Sequence, residues 1–120
     1  VYKKNNKVIG SIGYEHDIRR PEINCRELGY AIGEEYWGKG LMTEAAKAVL
    51  GYGFEEMDLD MISIYRNPDN KRSGRVIDKC GFTYEGTLRR AHRIYDGTIR
   101  DVNCYSMTKE EYSELRKARP

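Results

Sequence analysis

Apolar positions along the chain switch between a period of two and a period of three to four, and the switches mark the elements. Residues 8–14, Val-Ile-Gly-Ser-Ile-Gly-Tyr, read as a strand, preceded by the end of another at Val1-Tyr2-Lys3 and a turn at Asn5-Asn6. From Cys25 to Ile32 the pattern alternates, placing Leu28, Tyr30 and Ile32 on one face and Glu27, Gly29 and Ala31 on the other. Beyond Gly40 the period lengthens, with Met42, Ala45, Ala46, Val49, Leu50, Gly53, Phe54 and Met57 forming one stripe of an amphipathic helix. Residues 61–65 make a short strand, and Asn67-Pro68-Asp69-Asn70 breaks the chain before a second helix that buries Val76, Ile77 and Cys80. Gly81 stands where a left-handed C-terminal residue belongs, followed by Phe82. Segments 82–95 and 98–107 flank Asp96-Gly97, a strong hairpin signal, so they are expected to pair antiparallel. Thr108-Lys109-Glu110-Glu111 has the form of a capping box opening a last short helix.

This order predicts an α+β (α/β) domain: a largely antiparallel sheet with one parallel strand-helix-strand crossover. A dinucleotide-binding fold would need more strand-helix alternation. At 120 residues the chain is read as a single domain, 1–120, and 39% hydrophobic with 33% charged residues is the profile of a soluble globular protein. Its apolar runs are far below bilayer length and no signal segment opens it, so no membrane partner and a cytoplasmic location are expected. A net charge of +2 is too small to point to nucleic acid, although Arg89, Arg90, Arg93 and Arg100 keep a nucleic-acid binder as a third class of function. Three widely spaced cysteines, Cys25, Cys80 and Cys104, argue against a disulfide framework or zinc site and read as small packing residues. His16 and His92 are too isolated for a metal cluster, and no metal is expected.

The candidate chemistry begins at Gly38-Lys39-Gly40, between a strand and a helix. Two glycines bare the backbone where the first helical N–H groups lack partners, and the helix dipole adds to their pull on an anion. The same glycines also suit ordinary loop punctuation. On the preceding strand, Gly29 and Ala31 leave room for something laid against the sheet, with Glu27 at the end of the bare strip; alternatively Gly29 marks a bulge and Glu27 is a surface carboxylate. Asn70 can cap the second helix, with Ser73 an ordinary first-turn residue.

Taken together, Glu27-Leu28-Gly29-Tyr30-Ala31-Ile32, Tyr36-Trp37-Gly38-Lys39-Gly40-Leu41-Met42-Thr43-Glu44-Ala45, Asn70-x-x-Ser73, Cys80-Gly81-Phe82, Glu85-Gly86 and Asp96-Gly97 resemble the GNAT N-acetyltransferases. The resemblance is nearest to the RimJ/RimL-like branch, the ribosomal-protein N-terminal acetyltransferases. It implies a GNAT-like sheet flanked by helices and a cofactor site for acetyl-coenzyme A made by Tyr30, Ala31, Ile32, Gly38, Lys39, Gly40, Leu41, Met42, Thr43 and Asn70. In the family the glycine loop takes the pyrophosphate and the strand before it pairs its backbone with the pantetheine arm. Two departures stand out. Glu35 lies three residues before the first glycine, where the family usually has Gln or Arg, which weakens phosphate binding while Lys39 offsets the charge. The family's first strand and usually two helices have no counterpart, so the chain looks N-terminally truncated, with only part of an acceptor cleft. Such a chain is inactive as it stands or is completed by another, and its uncovered apolar surface and strand edge favour association, as in a homodimer.

The mechanism implied by the resemblance is direct attack of a neutral primary amine, a protein N-terminus or a small amine, on the thioester carbonyl, without a covalent enzyme intermediate. A cysteine nucleophile competes, but none of the three cysteines has a histidine placed beside it by a recognisable pattern. A non-catalytic coenzyme A binding or assembly module is the alternative function. Ser73 is expected to protonate or hydrogen-bond the leaving thiolate, because Ile77 stands where other GNAT branches carry a tyrosine. Two residues compete for the base. Glu27 lies on the strand expected to cradle the acetyl arm, and His92 on the strand before the Asp96-Gly97 turn; Glu27 is placed ahead, acting through water.

Overall fold

The structure, a computed structural model, describes residues 2–4, 7–32 and 40–117. The turn at Asn5-Asn6 and the loop residues Glu35, Tyr36, Trp37, Gly38 and Lys39 lie outside the described residues. Nine elements follow in the order β1 (Tyr2–Lys4), β2 (Lys7–His16), β3 (Cys25–Ile32), α1 (Leu41–Glu55), β4 (Met61–Arg66), α2 (Lys71–Cys80), β5 (Thr83–Arg93), β6 (Ile99–Thr108) and α3 (Lys109–Lys117). The six strands form one sheet in the order β1-β2-β3-β4-β6-β5. Only β3 and β4 run parallel, as the crossover through α1 requires; every other pair is antiparallel.

All three helices pack on one face of this sheet. Leu28 from β3, Ile62 and Ile64 from β4, and Tyr105 and Met107 from β6 form one buried cluster with Ala46, Leu50 and Phe54 of α1 and Ile77 and Cys80 of α2, while Tyr112 and Leu115 of α3 pack against it. Close approach of α1 to the sheet depends on Gly53: a Cβ there would sit 2.5 Å from the Tyr14 hydroxyl and 3.0 Å from Ile62 Cδ1. That hydroxyl donates to the carbonyl of Val49 at 2.7 Å, tying β2 to the middle of α1.

Local signals in the sequence account for the helix ends. Asn70 Oδ1 accepts the N–H of Ser73 at 3.1 Å, so the capping role expected of Asn70 is present. Gly81 adopts φ 88°, and Phe82 donates its N–H to Ile77 five residues back, closing α2 with a Schellman motif. At the start of α3 the Thr108 hydroxyl accepts the Glu111 N–H at 3.1 Å while Glu111 accepts the Thr108 N–H at 2.9 Å, the reciprocal pair of a capping box. The β5–β6 hairpin forms as expected, with strand ends drawn in by a few residues. Its turn spans three residues, because Gly97 (φ 86°) donates to Ile94 and Ile94 donates to Thr98 across the loop. Cys25 and Cys80 are buried packing residues as expected, while Cys104 is only half-buried.

Candidate active site

Parallel strands β3 and β4 pair over only three rungs, Cys25 with Met61, Arg26 with Ile62 and Glu27 with Ser63. Past that point β3 continues to Ile32 and β4 to Arg66 without pairing to each other, so the sheet forks. On its other side β3 stays paired with β2 as far as Ile32, opposite Gly10. The backbone of β3 beyond Glu27 therefore carries N–H and C=O groups on the fork side that β4 does not satisfy.

A groove of about 360 Å³ occupies the fork. Because side chains alternate, it opens onto both faces of the sheet. On the helix face it is lined by Leu28, Tyr30, Ile64 and Arg66, together with Asn70 and Ser73 at the start of α2; on the open face by Glu27, Tyr65, Val102, His92 and Arg19. Gly29 lies between, and an added Cβ there would meet no atom within 4 Å, so the bare strip expected from the alternation is open space rather than a bulge. Thus Glu27, Tyr30, Asn70, Ser73 and His92, far apart in the chain, line one groove. Gly40, Leu41, Met42 and Thr43 form the first turn of α1 and are not part of that lining, and Ala31 is an exposed strand residue beside it; Ile32 closes β3. Gly38 and Lys39 lie outside the described residues.

Each end of the groove has its own electrostatics. On the open face, burial pushes the Glu27 carboxyl above its ordinary value, and the nearby Asp17 and Glu15 carboxylates add to that; Arg19, 3.9 Å away, works the other way. Arg19 also lies over the Tyr65 ring at 4.3 Å. Both are held by Asp17, a fully buried carboxylate that the sequence reading passed over. One Asp17 oxygen accepts the Arg19 N–H at 2.9 Å; the other accepts Ser63 Oγ at 2.7 Å, Tyr65 Oη at 2.9 Å and Arg20 Nη1 at 3.3 Å. Burial works to raise this carboxyl, but the hydrogen bonds from Ser63, the Arg19 N–H and Tyr65 and the charge of Arg20 outweigh it and hold the group below its ordinary value. The Tyr65 phenol, half-buried, is pushed up to about 12 by its partial burial. Arg20 continues the network to β5 through a two-pronged contact with Glu85 at 2.6 and 2.7 Å, which gives Glu85 its structural role.

On the helix face, Arg66 braces the turn that presents Asn70 and Ser73. Its guanidinium donates to the carbonyls of Asn67 and Pro68 and, through Nε, to the Tyr105 hydroxyl at 3.1 Å. Ser73 is buried, and its hydroxyl lies 2.7 Å from that of Tyr30. Sequence reasoning gave Tyr30 a backbone role only; its side-chain bond to Ser73, and the presence of Arg19, Tyr65 and Arg66, follow from how the fork brings β2–β3, β4 and α2 together. At the start of α1, Gly40 takes φ 72°, a left-handed conformation that favours glycine, and among the described residues no side chain caps the helix. The N–H groups of that first turn thus lack the intrahelical partners that later turns supply. Arg100, grouped in sequence with Arg89, Arg90 and Arg93, instead pairs with Asp69 at 3.0 Å. Among the described residues no group of three or more His, Cys, Asp or Glu side chains could hold a metal ion.

The forked mixed sheet, with helix α1 starting after the fork's first arm, has counterparts among known proteins. The family described as "Acetyltransferase (GNAT) domain" matches residues 1–83, and the chain belongs to that family. Among curated proteins it is 32% identical over 113 residues to the uncharacterized N-acetyltransferase p20 of Bacillus licheniformis, covering 94% of this chain and 62% of that protein. The ribosomal-protein-S5-alanine acetyltransferase structure from Vibrio fischeri superposes with a TM-score of 0.81 at 28% identity, covering 89% of this chain and 57% of that one. The microcin C7 self-immunity acetyltransferase MccE, solved with acetyl-CoA and AMP, superposes with a TM-score of 0.75 at 28% identity, over 88% of this chain and 57% of that one. The chain thus spans less than two thirds of the length of these relatives.

Proposed function

We propose that this chain carries the coenzyme site and catalytic groups of an acetyl-coenzyme A dependent N-acetyltransferase acting on a primary amine, a protein N-terminus or a small amine. The observation behind this reading is the groove through the forked sheet, with Glu27 and His92 at one mouth and Tyr30, Asn70 and Ser73 at the other.

The residues present suit the co-substrate. Unpaired backbone along residues 28–32 of β3 offers hydrogen bonds to the amides of an extended arm, and the absent Cβ at Gly29 leaves room for it. The start of α1 at Gly40, Leu41, Met42 and Thr43, which no described side chain caps, with Gly38 and Lys39 before it in the sequence, suits a pyrophosphate. Acetyl-coenzyme A supplies an acyl group already activated as a thioester. The protein must then bind it, orient the amine, remove a proton on one side and meet the developing negative charge on sulfur at the other. Glu27, its carboxyl raised toward neutrality by burial, takes the proton through water on the open face. Ser73 faces the thiol from the helix side. Such a division needs groups on both faces of one sheet, which the fork provides.

Calorimetry with coenzyme A on the full-length protein tests this assignment. Binding is expected, and Gly40→Val should weaken it about tenfold or more, because a β-branched residue is strained at this φ and brings side-chain bulk to backbone that must approach phosphate. Unchanged affinity in a folded Gly40→Val protein would sink the placement of the pyrophosphate.

A further inference from the structure

We propose that Tyr30 is a positioning residue for acetyl transfer: its hydroxyl donates to Ser73 Oγ and so turns the Ser73 proton toward the leaving sulfur. The inference rests on the reading of Ser73 given above and adds to it a second side chain from a different element.

Either hydroxyl of the 2.7 Å pair can act as donor; with Tyr30 as donor the Ser73 proton is freed. Ser73 sits in the first turn of α2, its N–H given to Asn70 and its hydroxyl 2.7 Å from Tyr30 Oη. A serine hydroxyl has one proton and two acceptor sites, and in a helix it commonly turns that proton back onto the carbonyl three or four residues earlier. A serine so engaged has nothing to give a thiolate. Tyr30 reaches Ser73 from β3, across the helix-face mouth of the groove, and both residues line it. When Tyr30 donates, it fills an acceptor site on Oγ, and the serine proton is left to point elsewhere. Negative charge arriving on sulfur makes that orientation the favoured one, since a hydrogen bond to an ionised acceptor is about twice as strong as a neutral one. The Tyr30 phenol is raised by burial, so it remains protonated, and a donor, at neutral pH. Donation of the same single proton to the Ser73 carbonyl, at 3.3 Å, competes with this bond and is the longer and weaker of the two.

The test uses the full-length protein and compares coenzyme A with its desulfo analogue, which lacks the sulfur. Calorimetry at pH 8.5, where a thiol is partly ionised, should show the wild type preferring coenzyme A. Tyr30→Phe should cut that preference and kcat about tenfold while leaving the acetyl-coenzyme A KM within about twofold, since one charge-assisted hydrogen bond is removed and the ring is kept. Ser73→Ala should cost at least as much, and Tyr30→Phe added to it should cost nothing further, because the tyrosine acts only through the serine. Additive losses in the double variant, or a silent Tyr30→Phe beside a damaged Ser73→Ala, would overturn the inference while leaving the role of Ser73 standing. A Ser73→Ala protein with full sulfur preference and turnover would overturn both.

Discussion

Asp17→Ala is expected to be the most damaging single substitution in the described structure, lowering stability by about 3 kcal/mol and the melting temperature by roughly 10 °C or more. The carboxylate is fully buried and accepts from the buried Ser63 hydroxyl and, in partly buried bonds, from Tyr65, Arg20 and the Arg19 N–H, so alanine takes the shared acceptor from all four at once. Asp17→Asn keeps the shape and some of the bonds and should cost less. The pH dependence has a definite sign. A carboxyl held below its ordinary value in the folded state contributes stability that is complete above the unfolded value, near 4, and is lost as pH falls through the lower folded one. Wild type should therefore lose this contribution in acid, and Asp17→Asn should lack that loss. Glu27 has the opposite sign, because its raised value means that its burial cost is relieved as pH falls. Thermal melts from pH 7 to pH 3 measure both effects. A melting temperature for Asp17→Ala within about 2 °C of wild type at pH 7 would show that the network adds little.

Glu27→Gln is expected to lower turnover about a hundredfold at neutral pH, within the usual range for a general base, and to remove the acidic limb of kcat measured at saturating acetyl-coenzyme A. The side chain stands at the last parallel rung, where the fork opens, and burial raises its carboxyl toward the range in which it can exchange protons near neutrality. Below that value it is protonated and cannot act as base, so activity falls as pH falls. Removing the opposing charge with Arg19→Ala should move the limb to higher pH. His92 lines the same mouth but is exposed on β5, opposite Arg100. If His92→Ala abolishes the limb while Glu27→Gln preserves it, the two residues exchange roles.

Much of this architecture was legible in the sequence because its signals are local. Alternation over Cys25–Ile32, the three-to-four period after Gly40, the cap at Asn70, the Gly81-Phe82 stop and the capping box at Thr108 each depend on residues a few positions apart. The faces of β3 followed from that alternation, and with them the bare strip at Gly29. The fork was not legible. Where two parallel strands stop pairing is decided by packing across the 28-residue crossover between Ile32 and Met61, and nothing in 28–32 or 64–66 announces it. Asp17 was hidden for a related reason: a lone aspartate in a polar loop beside Arg19 and Arg20 reads as solvated, and its burial depends on Ser63 and Tyr65 from a strand more than forty residues away. The Tyr30–Ser73 bond lay behind the periodicity itself, since a tyrosine on the bulky face of a strand reads as core.

The most direct measurement is thiol release from acetyl-coenzyme A by the full-length protein across a panel of peptides with free N-termini and small primary amines. Release is expected to depend on the amine, to be matched one for one by acetylated product, and to be lost when Glu27 or Ser73 is replaced. Coenzyme A binding with no amine-dependent release from any acceptor in the panel would contradict the proposed acetyl transfer, and would assign the forked groove to a binding module instead.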